Sequence, residues 1–251
     1  MEITLTLNAE KYNDFLRCLM NLKDNCTDVD IRNGIIRQRT NDKTSLFEID
    51  MSTILPDVTM AITDIPKKLD LFKSFSGQEV TISVFDGDPG YFTFNDNFTS
   101  YKFISPSLQF IDNKYISDEE LDRIFVLNED ELILECKLSN LITERIKVAT
   151  KIFSTESIQV AFDGETASVN ASTQAKDQFA KFIEGIPSNV VLERCSALLS
   201  TIPFSIDHDN DLEFKMYRAS NQGISLNVFR GQLGEANLRI LGRSSIVSDE
   251  E

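Results

Sequence analysis

The segment I-T-D-I-P-K-K-L-D-L-F-K-S-F, Ile62–Phe75, carries apolar residues at helical spacing and a proline where a helix would begin. We predict a helix over Ile65–Ser76, with Asp64 as its N-cap and Pro66 in the first turn, where proline is tolerated. Its apolar face consists of three residues: Ile65, Leu69 and Phe72.

The next segment, V-T-I-S-V-F-D-G (Val80–Gly87), alternates apolar and polar residues and ends in Asp-Gly. Alternation with a period of two predicts a half-buried strand, and Asp-Gly tolerates the positive φ angles of a tight hairpin turn. Asn33-Gly34 and Asp163-Gly164 carry the same kind of turn signal. Short strands separated by such turns predict antiparallel sheet.

The same order of elements recurs along the chain. A strand and a Gly turn also follow a helix predicted over Ala9–Lys23, one predicted over Asn140–Phe153, and a short helical candidate at Ser196–Ile202. Further strands close the four copies: Leu46–Met51, Tyr101–Ile104, Phe179–Ile183 and Leu238–Leu241. Four strand–helix–three-strand copies, two in each half, predict an α+β fold built from repeats.

The 251 residues suffice for one large domain or two moderate ones. The acidic, polar stretch Asp112–Arg123 separates the two pairs of copies, as a linker laid over a surface would. We therefore predict an N-terminal domain over residues 1–111, a linker over 112–127 and a C-terminal domain over 128–251.

The residue inventory argues against an enzyme. His208 is the only histidine, and the four cysteines are scattered without a C-x-x-C pair, which indicates buried thiols. The run D-H-D-N-D, Asp207–Asp211, lacks the Gly and Glu that an EF-hand loop needs, so we interpret it as an acidic turn. We predict no catalytic residue, no metal site and no cofactor. Without a signal or membrane-spanning pattern, we expect a cytoplasmic protein that is not secreted and has no membrane partner.

Charge is distributed unevenly along the chain. A formal net charge of −15 argues against binding nucleic acid. The three longer predicted helices nevertheless contain nine basic and four acidic residues, a net charge of +5 that leaves −20 for the rest. Glu forms helices as well as Lys does, so its near absence indicates a basic surface with a function, ordinary solvated helix faces being the alternative.

At this point the chain resembles the DNA sliding clamps, the PCNA-like polymerase processivity factors, and most of all their viral and phage forms. The resemblance covers nearly the whole length; its strongest local parts are Ile62–Phe75 with the two strands that follow, and the C-terminal run of strands from Leu212 to Arg243. It implies a two-domain DNA-clamp fold with helices inside and antiparallel sheets outside, closed as a homotrimeric ring around double-stranded DNA. A viral clamp would act in the host-cell cytoplasm.

The resemblance also implies sequence-independent contacts between basic helix residues and DNA phosphates. The positions carried over are seven: Lys11, Arg17, Lys67, Lys68, Lys73, Lys147 and Lys151. Lys11 and Lys68 lie nearer the flanks of their helices, and the candidate Ser196–Ile202 carries no basic residue.

The helix over Asn140–Phe153 is divided into two sides. We assign Leu141, Val148, Ala149 and Ile152 to its apolar side, with Lys147, Lys151, Thr143 and Thr150 opposite. Arg145 falls in the apolar sector, so we expect it to pack or pair rather than face DNA.

In the family, DNA polymerase and the clamp loader dock through peptides that enter an apolar pocket beside the linker. The candidates here are four residues: Ile116, Leu121, Ile124 and Phe125. Ring closure would pair Thr99–Ser105 of one subunit with Gln178–Gly185 of the next.

Two other functions remain open on the sequence. One is an adaptor of the same fold that binds partners without encircling DNA. The other is an unrelated β-rich virion structural protein whose basic helices are solvated surface. The mass in solution separates the first of these from a ring.

Overall fold

A computed structural model describes residues 2–85, 87, 90–106, 115–155, 157–162, 167–172, 179–184, 195–219 and 223–247. The chain forms two compact units. The first comprises Met1–Ser117 with Gln232–Leu238, and the second comprises Asp118–Gly231 with Arg239–Glu251. No helix within the described ranges combines the length and the apolar composition needed to cross a membrane.

The first half of the chain contains two strand–helix–three-strand copies. The first copy consists of β1 (Glu2–Leu7), α1 (Ala9–Leu22), β2 (Val29–Arg32), β3 (Ile35–Arg39) and β4 (Ser45–Asp50). The second consists of β5 (Met60–Ile62), α2 (Ile65–Lys73), β6 (Val80–Phe85), β7 (Gly90–Asn95) and β8 (Ser100–Ser105). Strands pair antiparallel in the orders β1–β6–β7–β8 and β5–β2–β3–β4.

The second half repeats this order after α3 (Asp118–Ile124) and a 3-10 turn at Glu129–Glu131. Its first copy consists of β9 (Leu132–Leu138), α4 (Asn140–Phe153), β10 (Ser157–Phe162), β11 (Ala167–Ser172) and β12 (Phe179–Glu184). Its second consists of β13 (Cys195–Ser200), α5 (Ile202–Ser205), β14 (Leu212–Arg218), β15 (Ile224–Leu233) and β16 (Ala236–Val247). The order β12–β11–β10–β13 forms one antiparallel array, and β9–β14–β15 forms another. The predicted four-fold repeat and α+β class are confirmed.

An aromatic cluster holds the two helices of the first unit on one sheet. The Phe94 ring on β7 lies 6.1 Å from Phe15 on α1 and 5.0 Å from Phe72 on α2. Tyr12 and Phe75 complete the cluster, and all five side chains are buried. Because both helices bury their apolar faces on the same sheet, their opposite faces point away from it.

One predicted helix is wrong, and one predicted cap differs in its details. Asp64 is the N-cap residue of α2, as predicted, and its carbonyl oxygen accepts from the Lys67 and Lys68 amides, but its backbone is left-handed (φ 52°) and its side chain makes no capping hydrogen bond. The candidate at Ser196–Ile202 is mostly strand β13, and only the short turn α5 follows it. Pairing with β10, which sets Ala197 opposite Val160, overrides the helical preference of the Ala-Leu-Leu sequence.

The Asn33-Gly34 hairpin is confirmed. Both residues have positive φ, 51° and 76°, as a tight turn between β2 and β3 requires. Gly34 also lies close to another loop, since a Cβ there would be 2.5 Å from the Leu55 carbonyl oxygen and 2.9 Å from the Ser52 Cα. Asp163-Gly164 and Asp86 lie outside the described residues.

We therefore expect Gly34→Ala to lower the free energy of unfolding by more than about 1 kcal/mol, measured by urea denaturation. Gly77→Ala is the matched control, because Gly77 has a similar φ of 79° but no neighbour within 4 Å of an added Cβ. Equal losses in the two variants would show that the close approach at Gly34 contributes nothing beyond the strained φ.

Candidate nucleic-acid interface and partner pocket

Hydrogen bonds fix α1 and α2 against each other in the first unit. The Tyr12 hydroxyl donates to the Phe72 carbonyl oxygen at 2.8 Å. The Asn13 side-chain oxygen accepts from the Ser76 hydroxyl at 2.9 Å and from the Gly77 amide at 3.2 Å, just beyond α2. The basic residues of both helices are thereby carried by one rigid pair.

Three of the predicted DNA contacts in this unit are accompanied by a carboxylate three residues earlier. The nitrogen–oxygen distances are 3.9 Å for Arg17–Asp14, 3.5 Å for Lys67–Asp64 and 3.1 Å for Lys73–Asp70. Lys67 is the most open of the three, with 80% of its side chain exposed. Exposed pairs of this spacing contribute only about 0.2–0.5 kcal/mol, so a phosphate can displace the carboxylate from Lys67 or Lys73. Asp14, the partner of Arg17, is buried instead.

Lys11 and Lys68 are held by neighbouring groups. The Lys11 ammonium donates to the Thr53 carbonyl oxygen at 3.0 Å and lies 3.3 Å from Glu235. The Lys68 ammonium donates to the Thr63 hydroxyl at 3.0 Å and lies 5.8 Å from the Phe103 ring centre. Burial lowers the pKa of Lys68 from its usual value. Both ammonium groups therefore already have partners within the first unit.

The predicted apolar side of α4 is wrong. Leu141, Val148 and Ile152 are exposed to 61%, 54% and 69%, and Ala149 alone of the predicted set is buried. The buried residues are Thr143, Ile146 and Ala149. The Thr143 hydroxyl donates to the Ser139 and Asn140 carbonyl oxygens, which allows its burial. We call Leu141, Val148 and Ile152 the apolar stripe of α4.

The three basic residues of α4 lie in different surroundings. Lys147 forms an ion pair with Asp207, and only 19% of its side chain is exposed. Lys151 is exposed near the C-terminal end of the helix. Arg145 is exposed beside the apolar stripe, and within the described residues it neither packs nor pairs as predicted. The Asp207 partner was missed, because nothing in the sequence connects it to α4.

The four pocket candidates are divided between the two units of the chain. Ile116 is buried in the first unit, where its amide donates to the Arg37 carbonyl oxygen at 2.7 Å. In the second unit Leu121 is buried, Phe125 lies 5.8 Å from the Arg243 guanidinium, and Ile124 borders a cavity.

This cavity, which we call the α3 pocket, has a volume of about 400 Å³. Its apolar lining comprises Ile124, Val126, Ala219, Ile224 and Leu226. Its polar lining comprises Arg123, Arg218, Arg243, Asn128 and Glu131. Sequence reasoning found only Ile124. Arg218, Ile224, Leu226 and Arg243 come from the distant strands β14, β15 and β16, and no local signal connects them to the segment around α3.

The described residues offer no group of three or more His, Cys, Asp or Glu side chains arranged to hold a metal ion. Cys18, Cys26 and Cys136 are buried, and none of these three forms a disulfide bond. Burial raises the pKa of the Cys26 thiol to about 12, so it stays protonated at neutral pH and is a poor nucleophile.

No protein-family model and no curated protein matches the chain. Solved structures do share its fold. The PCNA of Entamoeba histolytica matches with a TM-score of 0.65 and 14% identity over 96% of this chain and 98% of that one. A. fulgidus PCNA, solved with the C-terminal region of FEN-1 bound, matches at 0.63 and 13% over 99% and 100%. A chain of the PCNA2–PCNA3 complex of Sulfolobus tokodaii matches at 0.63 and 11% over 96% and 99%. The chain therefore has the α+β fold of PCNA sliding clamps over nearly its whole length.

Proposed function

We propose that this chain is a DNA polymerase processivity factor that closes into a homotrimeric ring, encircles duplex DNA and slides on it. It tethers DNA polymerase and other replication proteins, is opened by a clamp loader, and catalyses no reaction itself. If it is of viral origin, as the sequence resemblance suggests, it acts in the host-cell cytoplasm. We keep the predicted domains over residues 1–111 and 128–251 as part of this proposal.

The observation that carries the proposal is basic charge on the helices of a clamp fold in an acidic chain. Arg17, Lys67, Lys73 and Lys151 are available to solvent, whereas the chain as a whole has a net charge of −15. Phosphates bind where Lys and Arg gather and are repelled elsewhere. Because these contacts go to phosphates alone, they hold DNA without recognising its sequence.

Two features of the chain suit self-assembly. β8 stands at the end of one sheet and β12 at the end of another, so each presents unpaired backbone groups on one edge within the described residues. α4, which contacts β12, carries the apolar stripe, an exposed row of large side chains. An adjoining subunit that adds β8 to β12 would cover both features.

The α3 pocket suits the docking of partners. Its volume of about 400 Å³ lies within the roughly 300–1,000 Å³ of typical ligand sites. A. fulgidus PCNA, a protein of the same fold, has been solved with the C-terminal region of FEN-1. We propose that polymerase and loader use comparable segments here, with Ile124 as one wall of their site.

The proposal predicts a solution mass three times that of the 28.4 kDa chain, measured by light scattering after gel filtration. After loading, the protein should remain on a nicked circular duplex and slide off the same duplex once it is linearised. A protein that is monomeric at micromolar concentration, or that leaves circular and linear DNA equally fast, would contradict the ring. A monomeric protein that still binds its partners would favour the adaptor that does not encircle DNA.

A further inference from the structure

Three arginines surround the α3 pocket. Arg123 lies near the end of α3, Arg218 ends β14, and Arg243 belongs to β16. All three are exposed, and within the described part of the chain none of them forms an ion pair. The chain contains 40 Asp and Glu residues, so unneutralised arginines gathered at one pocket stand out against its overall acidity.

The apolar lining of the pocket offers a surface that an apolar partner segment could cover. Leu226 is buried and Ile224 is half-buried at the start of β15, where the Ala219 amide donates to the Ile224 carbonyl oxygen at 3.0 Å and closes the β14–β15 hairpin. Opposite this hairpin, Val126 is exposed to 68%. Covering these side chains with an apolar segment would remove them from water, which favours binding.

Arg243 differs from the other two arginines. Its guanidinium donates to the Ile124 carbonyl oxygen at 2.8 Å and lies over the Phe125 ring, so it fixes the segment that follows α3. Because Arg243 holds this segment in place, we treat it as a positioning residue, although the contact uses only some of the five N–H donors of its guanidinium. Arg123 and Arg218 are available to a ligand.

We infer that the α3 pocket selects partner segments in which carboxylates flank the apolar anchor residues. The inference rests on the proposed function and names the chemistry of the partner at that site. Carboxylates suit Arg123 and Arg218 because a guanidinium binds them through paired, charge-assisted hydrogen bonds. Glu131, the acidic residue of the lining, would oppose a carboxylate placed beside it and so restricts where the charges can lie.

The net negative charge of the protein and the arginines of the pocket act on an acidic segment in opposite directions. An acidic segment is repelled by the chain as a whole and attracted only by the arginines of the pocket. Salt weakens both effects, so the salt dependence alone cannot measure the local attraction. A comparison of variants at one salt concentration can measure the local attraction, because removing two arginines scarcely alters the long-range electrostatic field of the protein.

The test is a selection of random 12-residue peptides displayed on phage, using the full-length protein and the double variant Arg123→Gln/Arg218→Gln as targets. We expect the wild-type protein to enrich peptides with apolar residues and a negative net charge, and the double variant to lose that enrichment. Neutral or basic peptides on the wild-type protein, no enrichment, or the same acidic peptides on both targets would each overturn the inference.

The most enriched acidic peptide is then synthesised with a fluorescent label, and its affinity is measured by anisotropy. The double variant should bind it about tenfold or more weakly, the effect expected for lost hydrogen bonds to charged groups. Arg218→Lys keeps the charge and should retain part of the affinity. Arg230→Gln removes an exposed arginine of the same unit outside the pocket and should change nothing. An equal loss in Arg230→Gln would show that the effect is only one of net charge.

The same protein preparations are tested for retention on nicked circular DNA, which involves no peptide. Retention by a protein that does not select acidic peptides would overturn this inference and leave the proposed function standing. Selection of acidic peptides by a protein that is monomeric and not retained on DNA would support this inference and contradict the proposed function.

Discussion

Replacing Lys67, Lys73 and Lys151 together by Glu should reduce retention on circular duplex DNA by at least about 100-fold and abolish stimulation of DNA polymerase. Each substitution removes a cation that can displace counterions from a phosphate and adds an anion that repels it. In a homotrimer every substitution is present in each subunit, so the effects accumulate around the ring. All three side chains are exposed, so the fold should survive.

A control with the same change in net charge is available outside the helices. Arg39, Lys43 and Lys137 are also exposed, and they lie in β3, in the turn that follows it and in β9. Their joint replacement by Glu should leave retention nearly unchanged. Similar losses in both triple variants would mean that total charge, rather than the helix surface, governs binding. Unimpaired retention in the helix variant would remove these residues from the DNA interface.

The double substitution Val148→Asp/Ile152→Asp should convert the oligomer to monomers, measured by light scattering at micromolar concentration. Both side chains belong to the apolar stripe of α4, which we propose to lie between subunits. An unpaired carboxylate buried there would cost on the order of 3–5 kcal/mol. Since both residues are exposed in the single chain, thermal unfolding of the monomer should change little.

Leu198→Asp is the control for this experiment. Leu198 is an exposed apolar residue of β13 in the same unit, but it does not lie on α4. Its substitution should leave the oligomer mass unchanged. If the α4 variant keeps the mass of the wild-type oligomer, the apolar stripe is not part of the subunit interface.

The order of elements could be predicted because local signals agreed. Alternation of apolar and polar residues indicated strands such as Val80–Phe85. Asn33-Gly34 indicated a hairpin, because Asn and Gly accept the positive φ angles of its turn. The bounds of α4, Asn140–Phe153, were also predicted correctly. Patterns that depend on neighbours a few residues away are visible in the sequence.

Features that depend on distant parts of the chain were not predictable. α4 offers two sides that both contain apolar residues, and the one with smaller residues beside Ile146 is buried. Small side chains let a helix approach a sheet closely, and a hydrophobicity count does not register that advantage. Ser196–Ser200 became a strand because β10 pairs with it, and the α3 pocket draws its arginines from three separate elements.

If Arg17, Lys67 and Lys73 contact DNA as we propose, the carboxylates beside them affect motion along the duplex. A lysine that leaves one phosphate has an acidic partner within a few ångströms on its own helix, so its charge is never without a nearby counter-charge. The free-energy difference between successive positions on the duplex is then small. A ring lined in this way should diffuse in one dimension over a smooth profile, with low friction from its own electrostatic contacts.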